Sequence, residues 1–186
     1  MNSLMNLSLI GVVFLVTVQA AQDTKQIPPA TVPDLTGTWV FNLSKSDIGS
    51  PGGSPLYDEL TLTIVHREPE IQIVRWLRKK KRETTKRLIY YSDKRGESNP
   101  TMVGNSLRSK TSWEGNVLVS AGTMRQGDPF DTVLSVLTET IERWELSPDG
   151  NTLTQTSLSK GTLTVNGIVS PPQHHRIVRV FEKNLK

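Results

Sequence analysis

The chain has 186 residues, 22 Lys and Arg against 18 Asp and Glu, a formal net charge of +4, and no cysteine. The missing cysteine excludes a disulfide framework, thiolate catalysis and cysteine-held zinc or iron–sulfur centres. At this length one hydrophobic core can stabilise a single domain without such staples.

Residues 1–20 read as a signal peptide. Met1–Leu7 is short and carries no Lys or Arg, and Ser8–Val18 is an apolar run. That run is well under the ~20 residues a membrane span needs. Val18-Gln19-Ala20 fits the small-x-small cleavage rule, with Ala21 as the neighbouring option. Cleavage near Ala20 would place the mature protein in a periplasm or outside the cell; an uncleaved anchor is the other reading. Residues 21–33, with Pro28, Pro29 and Pro33, read as a flexible leader, because proline resists regular pairing. The folded domain is expected over 34–186.

From there the chain reads as short strands with no convincing helix. Thr36–Leu43 is the first, followed by a loop rich in Gly and Pro over Ser44–Pro55. Leu60–Val65 and Ile71–Leu77 are split by Glu68-Pro69-Glu70, and Thr84–Tyr91 follows a charged connection. Asp93–Pro100 reads as a loop. Ser106–Trp113 and Asn116–Met124 form a hairpin around Glu114-Gly115, and Gln126–Asp131 turns the chain again. Thr132–Leu146 is one bent strand or two. Pro148-Asp149-Gly150-Asn151 should turn the chain into Thr152–Leu158, since Pro presets φ, Asp bonds the turn backbone and Gly accepts positive φ. Thr162–Val169 and His174–Lys183 complete the set, with Pro171-Pro172 marking a break.

Side chains alternate across a strand, so Leu60, Leu62 and Ile64 share one face and Thr61 and Thr63 the other. Val117, Val119 and Ala121 form a second such face. A sheet wet on one side is antiparallel, and a run of such strands buries its core by curling into a barrel. The expected architecture is all-β: one antiparallel up-and-down barrel of about eight to ten strands.

The opening Leu35-Thr-Gly-Thr-Trp39 resembles the Gly-x-Trp start of the first strand in lipocalins and their calycin relatives. The order of a Gly37-x-Trp39 strand, Ser112-Trp113, Glu142–Gly150 and a terminal Val180-Phe-Glu-Lys183 looks like the lipocalin-like domains of exported bacterial proteins of unassigned function. The resemblance implies that Trp39 closes the barrel bottom and that a late-strand Arg packs across its ring. Arg176 and Arg179 are the candidates, Arg179 being preferred because it alternates with Ile177 and Phe181. The chain departs from the family by ending on a strand rather than a helix.

Three constellations could carry function. A barrel of this size can hold one small apolar ligand, and Leu62, Ile64, Ile73, Tyr90, Trp113 and Trp144 are the candidate pocket residues. Ordinary core packing explains each of them equally well. The stretch Arg75–Arg87 carries eight basic residues against the single Glu83, which leaves the rest of the chain net acidic. If Arg78, Lys79, Lys80, Lys81 and Arg82 form a hairpin tip, they could contact an anionic polysaccharide or lipid surface. The plain alternative is a solvated hairpin whose lysines prevent edge-to-edge association. Nucleic acid is disfavoured, because no aromatic stacking series accompanies the charge. His174-His175 does not suit a metal, since adjacent strand residues face opposite ways. No nucleophile elbow, phosphate loop or zinc-protease motif is present, so neither an enzyme nor a cofactor is expected. The reading is an exported barrel binding a small apolar ligand; the alternative is a surface protein acting through the hairpin 75–87 with no internal ligand.

Overall fold

The computed structural model describes residues 32–49, 57–101, 105–127 and 134–185. The expected signal peptide and nearly all of the leader lie outside the described residues. Eleven strands are present among the described residues: β1 (Gly37–Asp47), β2 (Glu59–Arg67), β3 (Glu70–Lys79), β4 (Arg82–Tyr91), β5 (Glu97–Pro100), β6 (Ser106–Glu114), β7 (Val117–Gln126), β8 (Leu134–Leu146), β9 (Thr152–Val165), β10 (Ile168–Val169) and β11 (Gln173–Lys183). All neighbours pair antiparallel in the order β4-β3-β2-β1-β11-β9-β8-β7-β6-β5, with the short β10 added to β9.

The first and last long strands meet in the middle of this order, so the two open edges belong to β4 and β5. Side chains close that seam into a nearly complete barrel. Asn99 on β5 bonds the backbone of Ile89 on β4 in both directions. The Lys86 ammonium reaches the Thr101 carbonyl. Below them Lys94 N–H donates to Thr111 O at 3.1 Å.

Local chemistry accounts for the hairpins. Arg67–Glu70, Lys79–Arg82, Glu114–Val117 and Val165–Ile168 each enclose a two-residue turn. In the last three of these turns positive φ falls on Lys80, Gly115, Asn166 and Gly167. At the β8–β9 corner the Asp149 carboxylate accepts Asn151 N–H at 3.1 Å and Gly150 has φ 70°.

Several expectations change. Asp93–Pro100 is not all loop, for β5 lies within it. Residues 134–146 form one strand, and Thr162–Val165 continues β9 rather than starting a new one. The alternation on β2 holds: Leu60, Leu62 and Ile64 are buried. On β7 the inner face is Leu118, Ser120 and Gly122 rather than the Val117 set, because Leu118 lies opposite the inward Trp144.

The apolar core collects at the end of the barrel where β1 begins and β11 ends. Trp39, Leu62, Ile64, Ile71, Ile73, Leu118, Trp144, Leu153 and Phe181 are all essentially inaccessible there. Trp39 Nε1–H donates to Leu35 O at 3.0 Å, which seats the indole across the barrel floor. The cation over its ring is Lys183, 5.4 Å from the centroid, and not Arg179. Register explains the change: Lys183 stands directly opposite Trp39 on β11, and Arg179 lies further along the strand. Gly37, at φ 150°, leaves room for the Lys183 stem; a Cβ there would sit 3.3 Å from its Cε.

Candidate ligand-binding site

Beyond the apolar floor the inward row crossing β8, β9 and β11 turns polar. Trp144 faces Gln155, and Gln155 faces Arg179, in direct register. Arg179 Nε donates to Tyr57 Oη at 3.0 Å and its Nη1 donates to Gln155 Oε1 at 3.2 Å. The Gln155 amide nitrogen and the Trp144 indole N–H are buried and have no acceptor. Trp144 is 0% and Gln155 1% exposed, so bulk water does not reach either. An unmet buried donor costs about 1–3 kcal/mol. This corner therefore offers two unmet donors beside a guanidinium. Aromatic rings border it: Phe41 lies 5.3 Å from Tyr57 and 5.8 Å from Phe181, and Trp144 stacks near Phe181 at 6.5 Å.

Two carboxylates also face the interior, Glu142 on β8, two residues from Trp144, and Glu97 on β5. The Tyr90 hydroxyl donates to Glu142 Oε2 at 3.0 Å. Full burial pushes the Tyr90 phenol well above its usual range, with the Glu142 carboxylate adding to the effect. Glu97 Oε1 accepts from Ser109 Oγ at 2.7 Å and Thr111 Oγ1 at 2.6 Å, while its Oε2 is buried with no partner.

A recess of about 1170 Å³ follows the register row Glu97, Ser109, Gly122, Thr140, Ser159 and His175 and the rows flanking it. The middle of that row, Ser109, Gly122, Thr140 and Ser159, carries small side chains. None of the six pocket residues nominated from the sequence lines this recess. Leu62, Ile64, Ile73 and Trp144 belong to the packed core, and Tyr90 joins it with its hydroxyl held by Glu142. Trp113 packs against that core from a partly exposed position, and its Nε1–H donates to Glu68 Oε1 at 2.7 Å.

Glu68 ties the barrel floor together. Besides Trp113 it accepts from the Ser92 hydroxyl and lies 2.7 Å from His66 Nε2. His66 Nδ1 accepts Leu35 N–H at 3.3 Å, so its proton sits on Nε2 and points at Glu68. His174 and His175 are exposed on β11, apart from this cluster. Among the described residues no three His, Asp or Glu side chains gather as a metal site would require.

The basic residues divide. Lys79, Lys80, Lys81 and Arg82 form the exposed β3–β4 hairpin tip, and Arg78 is partly buried and paired with Glu59. Arg75 faces inward with Leu77 and Ile73, as does Lys86 with Leu88. Sequence reading missed Gln155, Glu97 and Asn99. Each is a polar residue at an inward strand position, which is a legible signal once register is known.

No family model matches the chain, and no curated protein matches it. Among solved structures it is similar to the REP1-NXSQ fatty acid transporter, with 14% identity, a TM-score of 0.46, and 82% of this chain and 98% of that one covered. It is similar also to fatty-acid-binding protein 1 of Echinococcus granulosus, with 16% identity, a TM-score of 0.45, and 80% and 96% covered.

Proposed function

We propose that this chain is an exported carrier barrel that takes a small, largely apolar ligand with an anionic end. The observation that carries the reading is the pair of buried donors on Trp144 and Gln155, unmet and set beside the Arg179 guanidinium. A carboxylate or similar oxyanion supplies the acceptors these groups lack, through charge-assisted hydrogen bonds. The aromatic rings of Phe41, Phe181 and Trp144 offer the apolar remainder a matching surface.

The test is displacement of a fluorescent fatty-acid probe by lauric acid, on the mature protein and on Arg179→Met. Saturable displacement, weakened about tenfold or more by the substitution, is the expected result. No binding to the unaltered protein, or equal binding by both, overturns the reading. Native mass spectrometry of protein purified without denaturation adds a second view: extra mass lost on denaturing is the expected signature of a carried ligand.

A further inference from the structure

We infer that the barrel's ligand carries a hydrogen-bond donor, an ammonium or a hydroxyl, at the end remote from its anion, and that Glu97 receives it. This rests on the carrier reading above and narrows it to a two-ended class of ligand.

The strand order supplies the first part of the argument. In the ring β4-β3-β2-β1-β11-β9-β8-β7-β6-β5, β5 and β11 are five steps apart in either direction once the seam is counted. Glu97 on β5 and Arg179 on β11 therefore stand on diametrically opposite walls. Both point inward, Glu97 opposite the buried Ser109 and Arg179 opposite the buried Gln155.

The second part is complementary deficit. The β8–β11 wall holds donors without acceptors, the Trp144 indole and the Gln155 amide. The β5 wall holds an acceptor without a donor, Glu97 Oε2. Buried polar atoms are nearly always paired, so Glu97 Oε2 asks for a donor as the Trp144 and Gln155 groups ask for an acceptor; the Thr101 hydroxyl, just past β5, is the fourth unpaired atom among the described residues. The Ser109 and Thr111 hydroxyls occupy Oε1 and so fix the carboxyl, leaving Oε2 as the free position. Glu97 also lines the recess. Glu142, the inward carboxylate on β8 two residues from Trp144, is engaged by the Tyr90 hydroxyl.

The experiment compares lauric acid, ω-hydroxylauric acid and ω-aminolauric acid on the mature protein and on Glu97→Gln, which keeps the side-chain shape and the Oε1 acceptor. The expected result is that both donor-bearing probes bind the unaltered protein about tenfold more tightly than lauric acid. Glu97→Gln should erase the preference for ω-aminolauric acid, because its new amide donor opposes an ammonium. If lauric acid binds and the donor-bearing probes gain nothing on the unaltered protein, the Glu97 subsite is overturned and the carrier reading stands. If no probe binds, the carrier reading falls and takes the subsite with it. The comparison on unaltered protein decides the matter even where the variant does not fold.

Discussion

Asn99 does for Ile89 what a neighbouring strand would do. Its amide nitrogen donates to Ile89 O at 2.8 Å and its amide oxygen accepts Ile89 N–H, also at 2.8 Å. β5 forms its ladder with β6 and not with β4, and it ends at Pro100, which has no N–H to give. One buried side chain thus joins the two edges of the sheet.

Asn99→Leu should remove both bonds and strand two backbone groups. We expect a loss of about 1–3 kcal/mol in urea unfolding. The Ile89 amide should also lose protection against hydrogen exchange out of proportion to the global change. An unmoved unfolding midpoint with the Ile89 amide still protected would show that the seam holds without Asn99.

β6 approaches β7 closely at Gly122. A Cβ there would lie 2.5 Å from Arg108 O and 2.7 Å from Ser109 Cβ. Backbone cannot yield as a flexible side chain does, so Gly122→Ala should cost about 1–3 kcal/mol. Gly161→Ala is the control, with nothing within 4 Å of its Cβ position, and should be neutral or slightly stabilising. Equal melting temperatures for the two variants would contradict the close approach.

Glu68 makes the barrel floor acid-sensitive. Partial burial raises its pKa, but the Ser92, His66 and Trp113 donors outweigh that and hold it below the ordinary 4.5. A carboxyl depressed in the folded state adds stability that is fully present above its unfolded value and is lost as pH falls through the folded one. Unfolding followed from neutral pH down through the carboxylate range should therefore show a steep acid limb. Glu68→Gln should flatten that limb, at the cost of some stability near neutrality. A limb of unchanged slope in the variant would place the acid sensitivity elsewhere.

The hairpin tip tests the surface reading independently of the barrel interior. Lys80 and Lys81 form the turn beyond the last β3–β4 pair, Lys79 with Arg82, and all three lysines are exposed. Replacing all three by glutamate should abolish low-salt binding to vesicles rich in anionic lipid and leave the melting temperature nearly unchanged, with added salt mimicking the loss in the unaltered protein. Vesicle binding that survives the triple change assigns the attraction to other charges.

Much of the architecture was legible before any coordinates. Period-two alternation and turn chemistry act within a few residues, so β2, β3, β4 and the Pro148–Asn151 corner could be read directly. The Lys79–Arg82 tip followed from the same logic. The Asn166-Gly167 turn was equally local and went unread; its positive φ at both residues ends β9 and starts β10.

What decides the site is of a different kind. Which residue stands over Trp39, which face of β7 turns inward, and what Asn99, Gln155 and Glu97 meet all depend on register between strands far apart in the chain. Leu118 and Val119 are both apolar neighbours, and only the pairing with Trp144 selects Leu118 for the interior. A slip of one residue would exchange every inward side chain for its outward neighbour, and nothing in a single strand records its partner's phase. The sequence alone therefore determined that this protein is a barrel of short antiparallel strands with a charged hairpin. The tertiary pairing decided which polar atoms are buried together, and which of them are left without a partner.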